Sequence, residues 1–191
     1  VMDVVKEEAE KDYQMASGIS EDVESSDSVW ELTRARLPWL LIGMTGGLLG
    51  AEVIGIFDLE NNFELAFFIP LIAAMGGNVG VQSAAIVVQG LANDSLKMEN
   101  IFQKLVKELG VGLLNGIICS IIILGAAFGL GHGRELSLTV SISLLVVIVF
   151  AALFGTLVPL TLEKYKIDPA LATGPFITTI NDVLGLVIYF M

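Results

Sequence analysis

The chain has 191 residues, of which 54 % are hydrophobic and 16 % charged, with a formal net charge of −11 and a mean hydropathy of +0.79. Such apolarity excludes an ordinary soluble domain and marks an integral membrane protein, while the acidity argues against nucleic acid and suits cations. The single Cys119 lies within an apolar run, so no disulfide can form within one chain, and its expected role is that of a small buried hydrophobe.

Residues 1–36 hold ten acids against four bases, a local charge of −6. Within them, 3–18 predicts a helix closed by Gly18, and 19–27 a polar linker. The opening Val1-Met2, with no signal-peptide pattern, predicts a segment cut from a longer protein. The domain division is therefore an acidic amphipathic arm and linker over 1–36, followed by a membrane domain over 37–191.

Five apolar runs follow, at 37–57, 66–89, 109–130, 136–162 and 170–191. Each is long enough for a hydrocarbon core that needs ~20 helical residues. The expected fold class is all-α integral membrane, with five transmembrane helices per subunit behind the acidic helical arm. Seven bases (Arg34, Arg36, Lys97, Lys104, Lys107, Lys164, Lys166) fall on one side of this arrangement and Arg134 alone on the other. That asymmetry predicts a multi-pass protein of the cell membrane with its amino terminus in the cytoplasm. His132, alone in a short loop, is expected to be solvated. Pairs of small residues four apart recur in three spans, among them Gly43/Gly47, Gly76/Gly80, Gly112/Gly116 and Gly125/Gly129. Their repetition is an expectation of helix packing and not a site marker.

Two features break the apolar pattern. In the second run, "MGGNVGVQSAA" at 75–85 brings three glycines, Asn78 and Gln82 to bilayer depth, where each polar group needs a partner or a cavity. In the fifth run, Asp182 falls ~18 Å along a helix begun at Ala170, near the middle of a ~30 Å core. A carboxylate there costs ~2.5–3.5 kcal/mol on insertion scales, so function or strong pairing is the default. Glu52 and Glu108 lie nearer their span ends, where an interfacial role competes evenly with function. Gly174, Thr178 and Asp182 are spaced i, i+4, i+8, with Gly185 on the same face. A carboxylate, a hydroxyl and carbonyls form a hard-cation set, suited to Mg²⁺ or Ca²⁺. Asn78 lies at nearly the depth of Asp182, and the glycines around it are expected to unwind locally and turn carbonyls towards a pore. The rival account of 75–85 is close helix packing, with Asn78 and Gln82 hydrogen-bonding across helices.

"PLIAAMGGNVGVQSA" at 70–84 and "DPALATGPFITTINDVLGLVIYF" at 168–190 resemble the signatures of the MgtE family of magnesium transporters. "RLPWLL", "KELGVGLLNG" and the arm "DVVKEEAEKD" are similar to supporting segments of that family. The resemblance implies a homodimer in the lipid bilayer whose central pore is lined by the second and fifth spans. It implies a Mg²⁺ site at Asp182, with Ala74, Gly77 and Asn78 from the second span and Gly174 and Thr178 from the fifth facing the ion. Val81 stands where the family commonly has Asn or Thr, and Gly174 where some members have Asn. The family's cytosolic regulatory domains are missing from this sequence.

The expected function is passage of Mg²⁺, both the transported and the bound ion, driven by the electrochemical gradient. The alternative is transport of another divalent cation such as Co²⁺ or Mn²⁺, or cation-coupled export. Enzymatic chemistry is not expected. An aspartyl intramembrane hydrolase needs two close carboxyls, and each chain has one at mid-depth.

Overall fold

The computed structural model describes residues 14–15, 17–19, 23–57, 63–93, 96, 101–172 and 174–191. They form five helices: α1 (Val29–Ile56), α2 (Ile69–Ala92), α3 (Ile101–Gly129), α4 (Arg134–Lys164) and α5 (Pro175–Phe190). Short 3₁₀ turns at Phe63–Phe68 and Pro169–Ala172 lead into α2 and towards α5.

Local chemistry sets the starts. α1 begins well ahead of the apolar run because Ser28 and Glu31 form a capping box: the Glu31 amide donates to Ser28 Oγ at 3.4 Å and the Ser28 amide to Glu31 Oε2 at 2.9 Å. α2 opens with Pro70 in its first turn, where a missing N–H costs nothing. Four helical segments are long and apolar enough to cross a membrane, with the turn at Phe63–Phe68 counted into the second.

The fifth run departs from the expectation of one continuous span. After the Pro169–Ala172 turn the chain reaches Gly174 at φ +62°, and α5 starts only at Pro175 with 16 residues, a rise of ~24 Å. Gly174 supplies the positive φ and Pro175 lacks the N–H that would continue a helix backwards.

The glycines of 75–85 do not unwind the chain. α2 runs unbroken from Ile69 to Ala92, which corrects the expectation of exposed carbonyls at Gly76, Gly77 and Gly80. An intact helix keeps its backbone groups paired, and the missing side chains admit α4 and α5 instead.

α4 packs along α3 and α2, and α5 lies against α2 and α1. Ile72, Leu144, Val147, Ile148 and Tyr189 form the centre of the core. Cys119 is half-buried at its edge, less enclosed than expected. Many apolar side chains of α1 and α3 point outwards, among them Leu40 and Ile121, faces that suit lipid and not water.

Two connections pin the ends. The Tyr189 hydroxyl donates to the Leu65 carbonyl at 3.0 Å. His132 is not merely solvated: its Nδ1 lies 3.7 Å from Glu64 Oε2 and its ring sits edge-on to Phe68 at 5.2 Å. Most of the expected arm helix, residues 3–13, lies outside the described residues. Its glycine stop is visible: Gly18 (φ +80°) donates to the Met15 carbonyl and Ile19 to that of Gln14, both at 3.0 Å, the paired bonds of a Schellman turn. Gly18 rests on α5, where a Cβ would come within 2.6 Å of Pro175 Cγ.

Candidate functional site

A cleft of 690 Å³ opens between α1, α2 and α5. α2 contributes Asn78, Val81 and Gln82; α5 contributes Gly174, Pro175, Thr178, Thr179 and Asp182; Gly43 of α1 closes one side. Helical spacing explains the set. Asn78 and Gln82 are one turn apart on an exposed stripe of α2, and Gly174, Thr178 and Asp182 are successive turns of the facing stripe.

Of the six residues singled out from the sequence, the cleft gathers Asn78, Gly174, Thr178 and Asp182. Gly77 is buried under the α5 stripe, where a Cβ would fall 2.9 Å from both Asp182 Oδ1 and Thr178 Cγ2. It gives the carboxylate room and does not line the cleft. Ala74 is exposed on α2 but is also outside the lining. The Gly174 carbonyl is already engaged, accepting from the Thr178 amide and hydroxyl at 3.1 Å each. With its proton so used, the Thr178 oxygen presents acceptor lone pairs. Asp182 Oδ1 is buried without a hydrogen-bond partner. Among the described residues no three His, Cys, Asp or Glu side chains converge on one point.

Behind the cleft lies a second polar layer that sequence reasoning passed over. Asn181 is 1 % exposed, and neither its Oδ1 nor its Nδ2 has a partner. It faces Gly80, where a Cβ would overlap Nδ2, while Asp182 faces Gly77. The available signal was an amide inside an apolar run, one residue from the aspartate. Glu108 is buried as well: it is 5 % exposed, accepts from Ser83 Oγ at 2.6 Å and pairs with Lys104 Nζ at 3.5 Å. Glu52 is exposed on α1.

The cleft thus offers one carboxylate, amides and hydroxyls to a solute at the depth of an apolar bundle, an arrangement fit to hold a cation through its water shell. Comparison with known proteins agrees with that chemistry. Residues 69–191 match the family model of MgtE, described as divalent cation transporter. The chain is 34 % identical over 192 residues to the magnesium transporter MgtE of Bacillus subtilis (strain 168), covering 100 % of this chain and 43 % of that protein. It is 35 % identical over 193 residues to the magnesium transporter MgtE of Thermus thermophilus, covering 99 % and 43 % respectively, and 34 % identical over 193 residues to that of Enterococcus faecalis, covering 100 % and 42 %. The chain therefore spans well under half the length of these relatives, and with α2, α4, α5 and the cleft all inside or beside the matched region, it belongs to the MgtE family of divalent cation transporters.

Proposed function

We propose that this chain is the membrane part of a magnesium transporter, and that Mg²⁺ passes through the cleft between α2 and α5. The observation that carries the reading is Asp182, a carboxylate midway along the apolar helix α5 and in the lining of a polar cleft, in a member of a divalent cation transporter family. Mg²⁺ gives up its water reluctantly, and the neutral acceptors of Asn78 and Thr178 suit a hydrated ion better than a stripped one.

One carboxylate does not offset a dication. A second identical subunit, bringing its own Asp182 to a two-fold axis, supplies the missing charge and closes the open side of the cleft. A membrane potential of 100 mV provides ~2.3 kcal/mol per elementary charge, or ~4.6 kcal/mol for Mg²⁺, so flow needs no chemical fuel. All five helices cross the bilayer in this reading, α5 with the help of the Pro169–Ala172 turn. The seven bases lie at the cytoplasmic face together with the acidic arm. The length by which the relatives exceed this chain is where cytosolic regulatory domains belong.

The test is uptake by liposomes containing the protein, with Mg²⁺, Ca²⁺, Co²⁺ and Mn²⁺ in competition. Mg²⁺ uptake that rises with an inside-negative potential supports the reading. Preference for Co²⁺ or Mn²⁺ replaces the ion, and uptake by a chain held monomeric removes the dimer.

A further inference from the structure

The crossing of α5 over α2 is close and polar at once. Gly76, Gly77 and Gly80 leave notches on α2 into which backbone and side-chain atoms of α5 fit. On the opposite side of that face, a Cβ on Gly155 of α4 would overlap the Gly80 carbonyl oxygen. Side chains of α5 fill the notches these glycines leave, Ile177 and Asn181 at Gly80 and Thr178 at Gly77, so a shift of α5 on α2 carries them from one notch to another. A stripe of small residues alone means only close packing. Here two polar atoms of α5 press onto it, Nδ2 of Asn181 at Gly80 and Oδ1 of Asp182 at Gly77, and neither they nor Asn181 Oδ1 has a hydrogen bond. On α4, Thr156, the residue after Gly155, is fully buried and its hydroxyl is orphaned as well.

Water does not offset such groups inside a bilayer, and a leucine has nearly the shape of asparagine without the desolvation cost. A buried amide without a partner therefore demands an explanation. Packing does not supply one, since an apolar isostere packs equally well. Fixed pairing does not supply one either, since there is none among the described residues.

We infer that the glycine face of α2 is a moving joint and that Asn181 is its positioning residue: its amide is unpaired in the arrangement seen here and becomes paired when α5 turns or slides on α2, a motion that carries Asp182 along the cleft. Two adjacent residues divide the work. Asp182 faces the solute from the Gly77 side, and Asn181, ~100° around the helix, rides in the Gly80 slot. The orphaned amide raises the free energy of this arrangement relative to the shifted one, so the joint is not trapped at one end of its travel. The inference rests on the reading of Asp182 as the carboxylate of the ion path.

The experiment pairs stability with function. Asn181→Leu keeps the shape and removes the unsatisfied amide, so its thermal unfolding in detergent should move to higher temperature. Mg²⁺ uptake by liposomes should nevertheless fall ~10–100-fold, the range seen when groups that orient a metal ligand are lost. A second readout does not depend on transport. In a Cys119→Ala background, Asp182→Cys should react with a charged thiol reagent, and adding Asn181→Leu should slow that reaction. Asn181→Ala, which removes the amide by truncation, should reproduce the falls in uptake and in labelling rate and serves if the leucine variant does not fold. Higher stability with uptake and labelling both unchanged would overturn the joint. Asp182→Asn transporting at the wild-type rate would instead remove the ion-site reading, and the labelling rates would still decide the role of Asn181.

Discussion

α2 and α3 each carry glycines four residues apart, Gly76/Gly80 in one and Gly125/Gly129 in the other. Around the first pair, Val147 of α4 and Ile177 and Asn181 of α5 occupy the space a Cβ would need; around the second nothing lies within 4 Å. The difference comes from what faces each helix. α2 sits between α4 and α5, and its glycines hold two neighbours at backbone distance. The carboxyl-terminal half of α3 has Gly125 and Gly129 on a face that no neighbouring helix covers among the described residues. Small residues admit a partner, but the topology decides whether one arrives. Where one arrives carrying an amide and a carboxylate, as α5 does with Asn181 and Asp182, the contact becomes a candidate site.

The comparison is broken most directly at its polar end. Asp182→Asn should bring Mg²⁺ uptake to background while leaving the protein folded, since it removes a charge from bilayer depth. Wild-type uptake by that variant, at equal amounts of protein in the liposome, would leave α2 and α5 as packing helices no different in kind from α3. Next in size is the clasp of Ser83 on Glu108 between α2 and α3. Ser83→Ala deletes a hydrogen bond to the buried Glu108 carboxylate, which should cost ~1.5–3 kcal/mol in unfolding in mixed micelles. A neutral result would mean that Lys104 alone satisfies Glu108.

Gly155→Ala tests the crowding of α2 from its other side. Its methyl has only the Gly80 backbone to displace, so a loss of ~1–3 kcal/mol is expected in the same unfolding assay. Asn78→Ala should be milder and functional: one neutral hydrogen bond to the water shell of the ion is worth ~0.5–1.5 kcal/mol, visible as a weakened concentration dependence of uptake. The smallest effect belongs to α3. Gly125→Ala meets open space and should stabilise by up to ~1 kcal/mol through helix propensity alone. A destabilisation there would reveal a partner on that face, such as a second copy of the chain.

Much of the lining of the cleft was legible in the sequence. Asp182 stood out because a carboxylate at mid-bilayer is expensive, and the i, i+4, i+8 spacing put Gly174 and Thr178 beside it. Asn78 followed from depth. The expected roles of Gly77 and Ala74 as lining residues did not carry into the cleft: helical rotation turns Gly77 under α5, and Ala74 falls outside the lining. Asn181 went unread because a buried amide has the same letter as an exposed one. Only the approach of Gly80 reveals that it has no partner.

What the sequence determined by itself was the all-helical membrane class and the place of an acid within an apolar helix, because hydropathy and the cost of charge in hydrocarbon are local properties summed along a chain. The capping box at Ser28 and the glycine stop at Gly18 are local too. The tertiary structure decided the rest. It kept α2 intact where glycines favour unwinding and buried Glu108 against Ser83. It also turned His132 onto Glu64 and Phe68. Each of these depends on which helix stands opposite which, and the free energy of such a contact belongs to both partners, so neither segment encodes it alone.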